Sequence, residues 1–267
     1  MKKVVYGKKI YYSDELNDDF SDVPVKTIKI TDNYEYLPKT IFGKIFSFLL
    51  TYLIAIPYLF LEAKFKHRVK VEGRENVKSL KGGYVLYGNH SLAIDAWTPQ
   101  VLISRPHKTY IISHPDAVSI PFVRHLTKSL GALPLPETVK GSIKFLKTIE
   151  HVLKKSNVIA VFPEGHIWPH YTKIRPFGVT SFQYASRFKV PAVPFACTYR
   201  APTGWRSKYQ NPHMTIHIGK PIYCDPALDY KENAKMMHQL TMNFMKSHVE
   251  QPNNLALYDY VKTIKKQ

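Results

Sequence analysis

A histidine and an aspartate lie five positions apart in the stretch GNHSLAID, which covers residues 88–95. An aspartate that accepts the Nδ1 proton of a histidine holds the ring in one tautomer, which leaves Nε2 ready to take a proton from a hydroxyl group. His90 and Asp95 therefore predict a general base and its orienting partner. The same residues also fit a histidine in a turn beside an aspartate that caps a helix, and Asp95 is able to serve both roles.

The elements around this pair place it at the end of a strand. Residues 84–87 form a short apolar run after the turn signal Gly82-Gly83, and residues 97–104 suit one face of a helix. The catalytic candidates then lie on a loop at the carboxyl end of a strand, which is where open α/β sheets place their sites.

Strands and helices alternate over most of the chain. The predicted strands are residues 69–71, 84–87, 109–112, 158–162, 192–198 and 214–218. The predicted helices are residues 97–104, 139–154, 181–187 and 230–249. This alternation predicts an α/β fold with a mixed, mainly parallel sheet flanked by helices.

Two further motifs complete a recognisable pattern. FPEG occupies residues 162–165 at the end of one apolar run, and VPAVP occupies residues 190–194 in the next. In this order and spacing, NHSLAID, FPEG and VPAVP resemble the motifs of the glycerolipid acyltransferase family, which includes the lysophosphatidate acyltransferases. The resemblance covers about residues 70–225 and implies an enzyme of phospholipid biosynthesis.

The resemblance implies an O-acyltransferase. Such an enzyme moves a fatty acyl chain from acyl-CoA or acyl-ACP to a hydroxyl of a lysophospholipid-like acceptor, with 1-acylglycerol-3-phosphate as the default. His90 would be the base and Asp95 its orienting partner, so no acyl-enzyme is needed. Backbone amides near the His90 or Gly165 turns would meet the developing oxyanion. The acyl carrier is a co-substrate, and we expect no other cofactor.

Four residues in the region of the second motif are predicted to bind the acceptor. They are Glu164, Gly165, Lys173 and Arg175. Glu164 would order the acceptor pocket by hydrogen bonding, since an ionised carboxylate is a strong acceptor. The alternative for Glu164 is a structural carboxylate that is bonded to loop amides.

Three positions where the family usually has a basic residue hold Pro136, Ile167 and Gly178 in this chain. Arginine grips phosphate with two parallel hydrogen bonds, so its loss changes how a phosphate is held. Two readings stay open. Either Lys173 and Arg175 supply a replacement grip, or the acceptor lacks the phosphate.

The charge balance points to a polyanionic partner. The chain has 38 Lys and Arg against 20 Asp and Glu, a formal net charge of +18, and such an excess suits an anionic membrane surface or a nucleic acid. No nucleic-acid motif is present, so we expect a membrane surface and no nucleic acid. A non-catalytic basic protein that binds membranes or nucleic acid is the alternative function class.

Cysteine and histidine spacing gives little support for a metal. Cys197 and Cys224 have no metal-ligand spacing, and their small number suits a reducing cytosol. His166 and His170 are four positions apart, but Pro169 stands between them and no third ligand is evident. We therefore expect no metal site.

Residues 45–61 are 17 positions without a charge, closely followed by seven Lys or Arg between positions 64 and 81. Such a segment suits a helix that enters one leaflet while the next domain rests on anionic head groups. A single spanning helix and a buried core helix are the alternatives. In a membrane-bound protein the basic flank places the catalytic domain on the cytoplasmic face.

The pattern predicts four regions. A polar arm covers residues 1–40, a membrane-associating helical segment covers 41–66, the acyltransferase α/β domain covers 67–228, and a C-terminal helix and tail cover 229–267.

Overall fold

A central β-sheet organises the structure, a computed structural model that describes residues 4–20, 26–120, 123–205 and 207–263. Residues 1–3 and 21–25 of the predicted arm and 264–267 of the predicted tail lie outside the described residues. The described strands are β1 (Lys8–Tyr12), β2 (Lys70–Glu72), β3 (Tyr84–Gly88), β4 (Thr109–Ser113), β5 (Ala132–Pro134), β6 (Val158–Val161), β7 (Ala192–Arg200), β8 (His213–Ile218) and β9 (Tyr258–Lys262).

Seven of these strands form the main sheet, in the order β2-β8-β7-β3-β6-β4-β5. Neighbouring strands are parallel apart from β7 and β8, which are antiparallel. The predicted mixed, mainly parallel sheet is confirmed, and all six predicted strands are present to within two residues. The short edge strand β5 was not predicted.

The helices are α1 (Ile41–Lys66), α2 (Glu75–Lys78), α3 (Val123–Ser129), α4 (Val139–Lys154), α5 (Gln183–Arg187) and α6 (Tyr230–Val249). Helices α4 and α6 have the predicted bounds because each has a capping side chain. The hydroxyl of Thr138 accepts from the Gly141 amide, and Asp229 accepts from two amides of the first turn of α6.

One predicted helix has a different form and shorter bounds. In place of a regular helix over residues 97–104, a 3-10 turn covers Ala93–Ala96 and a π-helical turn covers Pro99–Ile103. Pro99 has no N–H to donate, so it starts a new turn instead of continuing the preceding one. The helix predicted over 181–187 is also shorter, since a 3-10 turn, Thr180–Phe182, precedes α5.

Both faces of the sheet are covered. Along β3, Val85 and Tyr87 face helices α4 and α6, whereas Tyr84 and Leu86 face the side on which α1 packs. This alternation is the two-residue period of a strand buried on both faces. The carboxyl ends of the central parallel strands are left to carry loops.

Helix α1 lies against the domain along one narrow stripe of side chains that recur every four residues. The stripe consists of Ser47, Thr51, Ala55, Leu59 and Ala63, all buried. A four-residue repeat drifts around a helix of 3.6 residues per turn, and the wider π-helical turns at Leu50–Ala55 and Glu62–Lys66 offset that drift.

The rest of the surface of α1 is apolar and exposed. Of its most apolar 18-residue window, 22% is buried, and the exposed side chains include Phe42, Phe46, Leu53 and Phe65. Within the described residues, α1 is the one helix long and apolar enough to cross a membrane by length and composition. The exposed apolar surface supports membrane association.

The predicted arm and tail meet in a second sheet. Strands β1 and β9 pair in parallel, with Lys8 opposite Tyr258 and Tyr12 opposite Lys262. The arm also packs on the domain, since Ile30 is fully buried in the main core. The four predicted regions stay a prediction, and contacts cross their boundaries.

Candidate active site

The loop that carries His90 begins where β3 is joined to β7. The Asn89 side chain accepts a hydrogen bond from the backbone N–H of Cys197 at 2.7 Å and donates one to the carbonyl oxygen of Cys197 at 3.1 Å. Gly88 is needed here because a Cβ at this position would lie 2.1 Å from the ring of Phe195. The two strand ends are therefore held in one arrangement, which fixes the start of the loop.

The structure brings His90 and Asp95 together. The Nδ1 atom of His90 lies 3.4 Å from Oδ2 of Asp95, and the Asp95 side chain is fully buried. The same oxygen accepts hydrogen bonds from the backbone N–H groups of Ser91 and Leu92, each at 2.7 Å. Asp95 thus holds its own loop and contacts the histidine. It is not the N-cap itself: Leu92 is the N-cap of the turn Ala93–Ala96, and Asp95 lies inside that turn and accepts the N-cap amide.

The His90 ring is packed but still reachable. It stacks on Phe162 with 4.5 Å between ring centroids, and its side chain is 13% exposed. Phe162 opens the FPEG motif, so the first two motifs are in direct contact. No described side chain forms a hydrogen bond with Nε2 of His90, so that nitrogen is able to accept a proton.

Glu164 and Arg175 form a buried pair. The Nε atom of Arg175 lies 3.4 Å from Oε2 of Glu164, and the two side chains are 1% and 3% exposed. Burial raises the pKa of Glu164 above its usual value, and the Arg175 charge and backbone amides oppose that shift. Burial also lowers the pKa of Arg175. The pair is internal, so Arg175 does not face the surface where an acceptor would arrive.

Arg175 also fastens the segment in which it lies, residues 162–175, here called the site loop. Its guanidinium donates to the carbonyl oxygens of His166 and Glu15, the latter at 3.2 Å. The indole N–H of Trp168 donates to the carbonyl oxygen of Asp18 at 2.8 Å, and the Tyr260 ring stacks on Trp168. The N-terminal arm and β9 therefore support the loop from outside.

The remaining predicted acceptor residues lie on the outer side of the site loop. Gly165 is exposed and has φ +80°, a conformation that favours glycine. Lys173 is exposed, whereas Ile167 and Pro136 are half-buried. With Arg175 turned inward, Lys173 is the cation of the predicted replacement pair that faces solvent.

The turn amides expected to meet an oxyanion are already engaged. The Ser91 and Leu92 amides donate to Asp95. The Gly165 amide donates to the carbonyl oxygen of Phe162 at 3.1 Å, and the His166 amide donates to that of Glu164 at 3.0 Å. An oxyanion at these amides would therefore have to replace an existing acceptor.

A second histidine, missed from the sequence, lies beside the pair. His170 is 4% exposed, and its Nδ1 atom has no hydrogen-bond partner within the described residues. Its backbone N–H donates to the carbonyl oxygen of Ser91, and its ring is 4.7 Å from that of Tyr199. Burial lowers the pKa of His170 to about 4, and the charge of Asp95 opposes that shift.

His170 gave a signal in the sequence only as a weak metal ligand. Its spacing from His166 pointed to metal binding and not to packing beside Asp95. No group of three or more His, Cys, Asp or Glu in the part of the chain that the structure describes is placed to hold a metal ion.

Comparison with known proteins connects this geometry to a family. Residues 68–198 match a family model described as Acyltransferase. A 1-acyl-sn-glycerol-3-phosphate acyltransferase of Bacillus subtilis (strain 168) is 25% identical over 155 residues, which are 58% of this chain and 74% of the relative. The chloroplastic 1-acyl-sn-glycerol-3-phosphate acyltransferase LPAT1 of Arabidopsis thaliana is 26% identical over 161 residues, 59% of this chain and 44% of the relative.

A solved structure shows the same fold. The crystal structure of the 1-acyl-sn-glycerophosphate (LPA) acyltransferase PlsC from Thermotoga maritima aligns with a TM-score of 0.55 and 20% identity, over 79% of this chain and 89% of that chain. The His90 and FPEG motifs both lie inside residues 68–198, the region that the family model matches. PlsC shares the fold of this chain, and the motifs together with the family match show that the chain belongs to the glycerolipid acyltransferase family and is an acyltransferase.

Proposed function

We propose that this acyltransferase moves a fatty acyl chain from acyl-CoA or acyl carrier protein to a hydroxyl of a lysophospholipid, with 1-acylglycerol-3-phosphate as the default acceptor. The observation that carries the proposal is the contact between His90 and Asp95 at the end of β3, inside the matched region. The names of the two relatives support the acceptor class.

In this proposal His90 is the general base. Nε2 takes the proton of the acceptor hydroxyl as the hydroxyl oxygen attacks the thioester carbonyl carbon. The new ester C–O bond forms, the C–S bond breaks, and the thiolate leaves with the proton from the imidazolium. Asp95, which faces Nδ1, stabilises the imidazolium while it exists.

The acceptor phosphate is the open part of the proposal. Arg175 is committed to Glu164 inside the protein, so Lys173 is the replacement cation that we propose for the phosphate. A single lysine binds phosphate as a point charge and lacks the paired hydrogen bonds of arginine. This weaker grip also fits an acceptor without the phosphate, the second reading of the sequence.

An assay with mixed acceptors tests the proposal. The purified protein receives labelled acyl-CoA or acyl-ACP together with lysophosphatidate and neutral or zwitterionic lysolipids. We expect acylated lysophosphatidate from the unchanged protein and at least about a hundredfold less from His90→Ala. Product formed equally by His90→Ala would overturn the assignment of the base.

Lys173→Gln tests the phosphate grip, with the exposed Lys147→Gln as the matched control. Loss of a charged hydrogen bond should raise the apparent constant for lysophosphatidate about tenfold or more, while that for a neutral acceptor stays the same. A preference for a neutral acceptor in the unchanged protein would instead establish a phosphate-free substrate.

We also propose that α1 lies in one leaflet on the cytoplasmic face of an anionic membrane. Its docked stripe supports this, because a spanning helix would have to leave the domain residues it packs against, which include Val101. The basic residues between positions 64 and 81 would then face anionic head groups.

A further inference from the structure

A cavity of about 620 Å³ lies far from the proposed catalytic pair. Its wall includes Lys108, which immediately precedes β4, and Asn157, which immediately precedes β6. Strands β3, β4 and β6 are parallel to one another, and His90 follows the carboxyl end of β3. The cavity therefore lies at the amino ends of these strands, whereas the site lies at their carboxyl ends. We call it the basic cavity.

The charge of the basic cavity is strongly positive. Five lysines and one glutamate line it: Lys39, Lys44, Lys108, Lys144, Lys155 and Glu35. Glu35 pairs with Lys39 at 2.9 Å and with Lys144 at 3.1 Å. The other three lysines have no acidic partner within the described residues.

Lys108 is the least exposed of these three unpaired lysines. It is half-buried, and its Nζ donates to the carbonyl oxygen of Ser129 at 3.3 Å and lies 5.1 Å from the centre of the Tyr110 ring. Lys44 and Lys155 are exposed on the same cavity. A half-buried ammonium group without a counter-charge gains free energy when an anion enters beside it.

The cavity opens beside the apolar surface that supports membrane association. Ser47, Phe48 and Tyr52 of α1 line it, and Phe46 and Leu49 of the same turns are exposed. A ligand that fits both surroundings has an anionic head and an apolar tail. Cavities of roughly 300–1,000 Å³ suit small ligands, so this volume is ample for a phosphate head group.

We propose that the basic cavity binds the phosphate head group of an anionic membrane lipid, and that this lipid fixes α1 at the bilayer surface. The lipid is a ligand separate from the acceptor, because the cavity lies at the amino ends of the strands and the site lies at their carboxyl ends. The proposal does not depend on which acceptor the enzyme uses.

The test compares two triple variants with equal loss of charge. The cavity variant is Lys44→Gln, Lys108→Gln and Lys155→Gln. The control is Lys231→Gln, Lys235→Gln and Lys246→Gln, at exposed positions of α6 on the opposite side of the sheet from α1. Binding is measured by sedimentation with phosphatidylcholine vesicles, with and without phosphatidylglycerol.

We expect phosphatidylglycerol to strengthen vesicle binding of the unchanged protein and of the control variant. In the cavity variant, the increase in vesicle affinity that phosphatidylglycerol gives should be smaller by a factor of about five for each lysine removed. Binding to phosphatidylcholine alone should be equal in all three proteins, because α1 is intact. An equal loss in the two variants would mean a diffuse surface charge and would overturn the proposal.

A second measurement separates lipid from soluble phosphate. Unfolding temperatures are recorded with glycerophosphoglycerol, with inorganic phosphate and with coenzyme A. Stabilisation by glycerophosphoglycerol that disappears in the cavity variant supports the proposal. Stabilisation by phosphate or coenzyme A alone, with vesicle binding unchanged in the cavity variant, would reject the lipid. If the triple variant does not fold, Lys155→Gln replaces it, with a fivefold loss expected.

Discussion

At the scale of single residues, the site depends on one carboxylate oxygen. Oδ2 of Asp95 faces the Nδ1 of His90 and accepts the amides of Ser91 and Leu92. The spacing in the sequence predicted the histidine contact and also allowed an N-cap. In the structure the N-cap is Leu92, and Asp95 accepts the Leu92 amide from inside the turn. Substitutions of Asp95 should therefore affect loop structure as well as His90, the proposed base.

Replacement of His90 by alanine should lower kcat by about 10²- to 10⁴-fold, the usual contribution of a general base. Asp95→Asn should cost less, because the amide oxygen still accepts the loop N–H groups and the base remains. Steady-state kinetics measure both, and unfolding temperatures close to that of the unchanged protein show that the fold is intact. Near-normal turnover in His90→Ala would make His90 structural.

His170 should make the protein sensitive to acid. Its pKa is about 4 in the folded protein and 6.5 in the reference state, so the unfolded chain binds more protons between these values. Stability from this residue is complete above about pH 6.5 and falls as pH decreases towards 4, by about 3 kcal/mol.

Denaturant unfolding at neutral pH and near pH 4 tests that dependence in His170→Asn. Asparagine tolerates the positive φ of 54° at this position. Because asparagine does not titrate, the variant should lose less stability on acidification than the unchanged protein. The exposed His151→Asn should behave like the unchanged protein. Identical acid sensitivity in His170→Asn would assign the effect to other groups.

At the scale of elements, the site loop is stabilised by a buried ion pair. Arg175→Met removes one partner and leaves the Glu164 carboxyl in a buried position. Removal of one partner of a buried pair typically costs about 3–5 kcal/mol, whereas replacement of both is much less harmful. Arg175→Met should therefore destabilise the protein, and the double variant with Glu164→Gln should recover part of the loss in thermal unfolding.

A different result would assign Arg175 to the acceptor. If Arg175→Met raises the apparent constant for the acceptor and leaves stability unchanged, then Arg175 contacts the acceptor and turns outward when substrate binds. The double variant would in that case show no recovery.

The two sides of α1 should respond differently to substitution. Leu53→Gln with Ile54→Gln changes exposed apolar residues, so vesicle binding should fall tenfold or more, at about 1.5–3 kcal/mol for each apolar side chain that enters the bilayer. Ile56→Gln changes a buried residue and should lower the unfolding temperature instead. Unaltered vesicle binding in the first variant would mean that another surface meets the membrane.

Elements with strong local signals were the predictable part of the fold. Helices α4 and α6 have a capping residue and a regular apolar face, and β3 and β6 are apolar runs bounded by turns. The short β5 has only three residues, and the turns around Pro99 depend on tertiary packing. The role of Arg175 was also beyond prediction, because the contact that turns it inward joins residues 164 and 175 across a folded loop.

At the scale of the whole molecule, the two ends of the described chain support the site loop together. Tyr260 of β9 stacks on Trp168 and donates to the carbonyl oxygen of Pro169 at 2.8 Å. Pairing of β1 with β9 could not be predicted from the sequence, since nothing local connects segments so far apart.

Tyr260→Ala should therefore weaken the site loop from a distance. The loss of one aromatic contact and one hydrogen bond should cost about 1–3 kcal/mol and should lower kcat. Tyr11→Ala, at an exposed position of β1, is the control. Thermal unfolding and acyl transfer are measured for both. Normal stability and turnover in Tyr260→Ala would show that β9 does not support the loop.

The pairing of β1 with β9 also sets an order of events during synthesis. Lys8 is opposite Tyr258, so the contact closes a loop of about 250 residues and forms late. The ribosome releases α1 before any strand of the main sheet and β9 after all of them. The nascent chain can therefore reach a bilayer through α1 while Trp168 still lacks Tyr260. If α1 docks during synthesis, the site loop receives its last support, Tyr260, at the membrane surface.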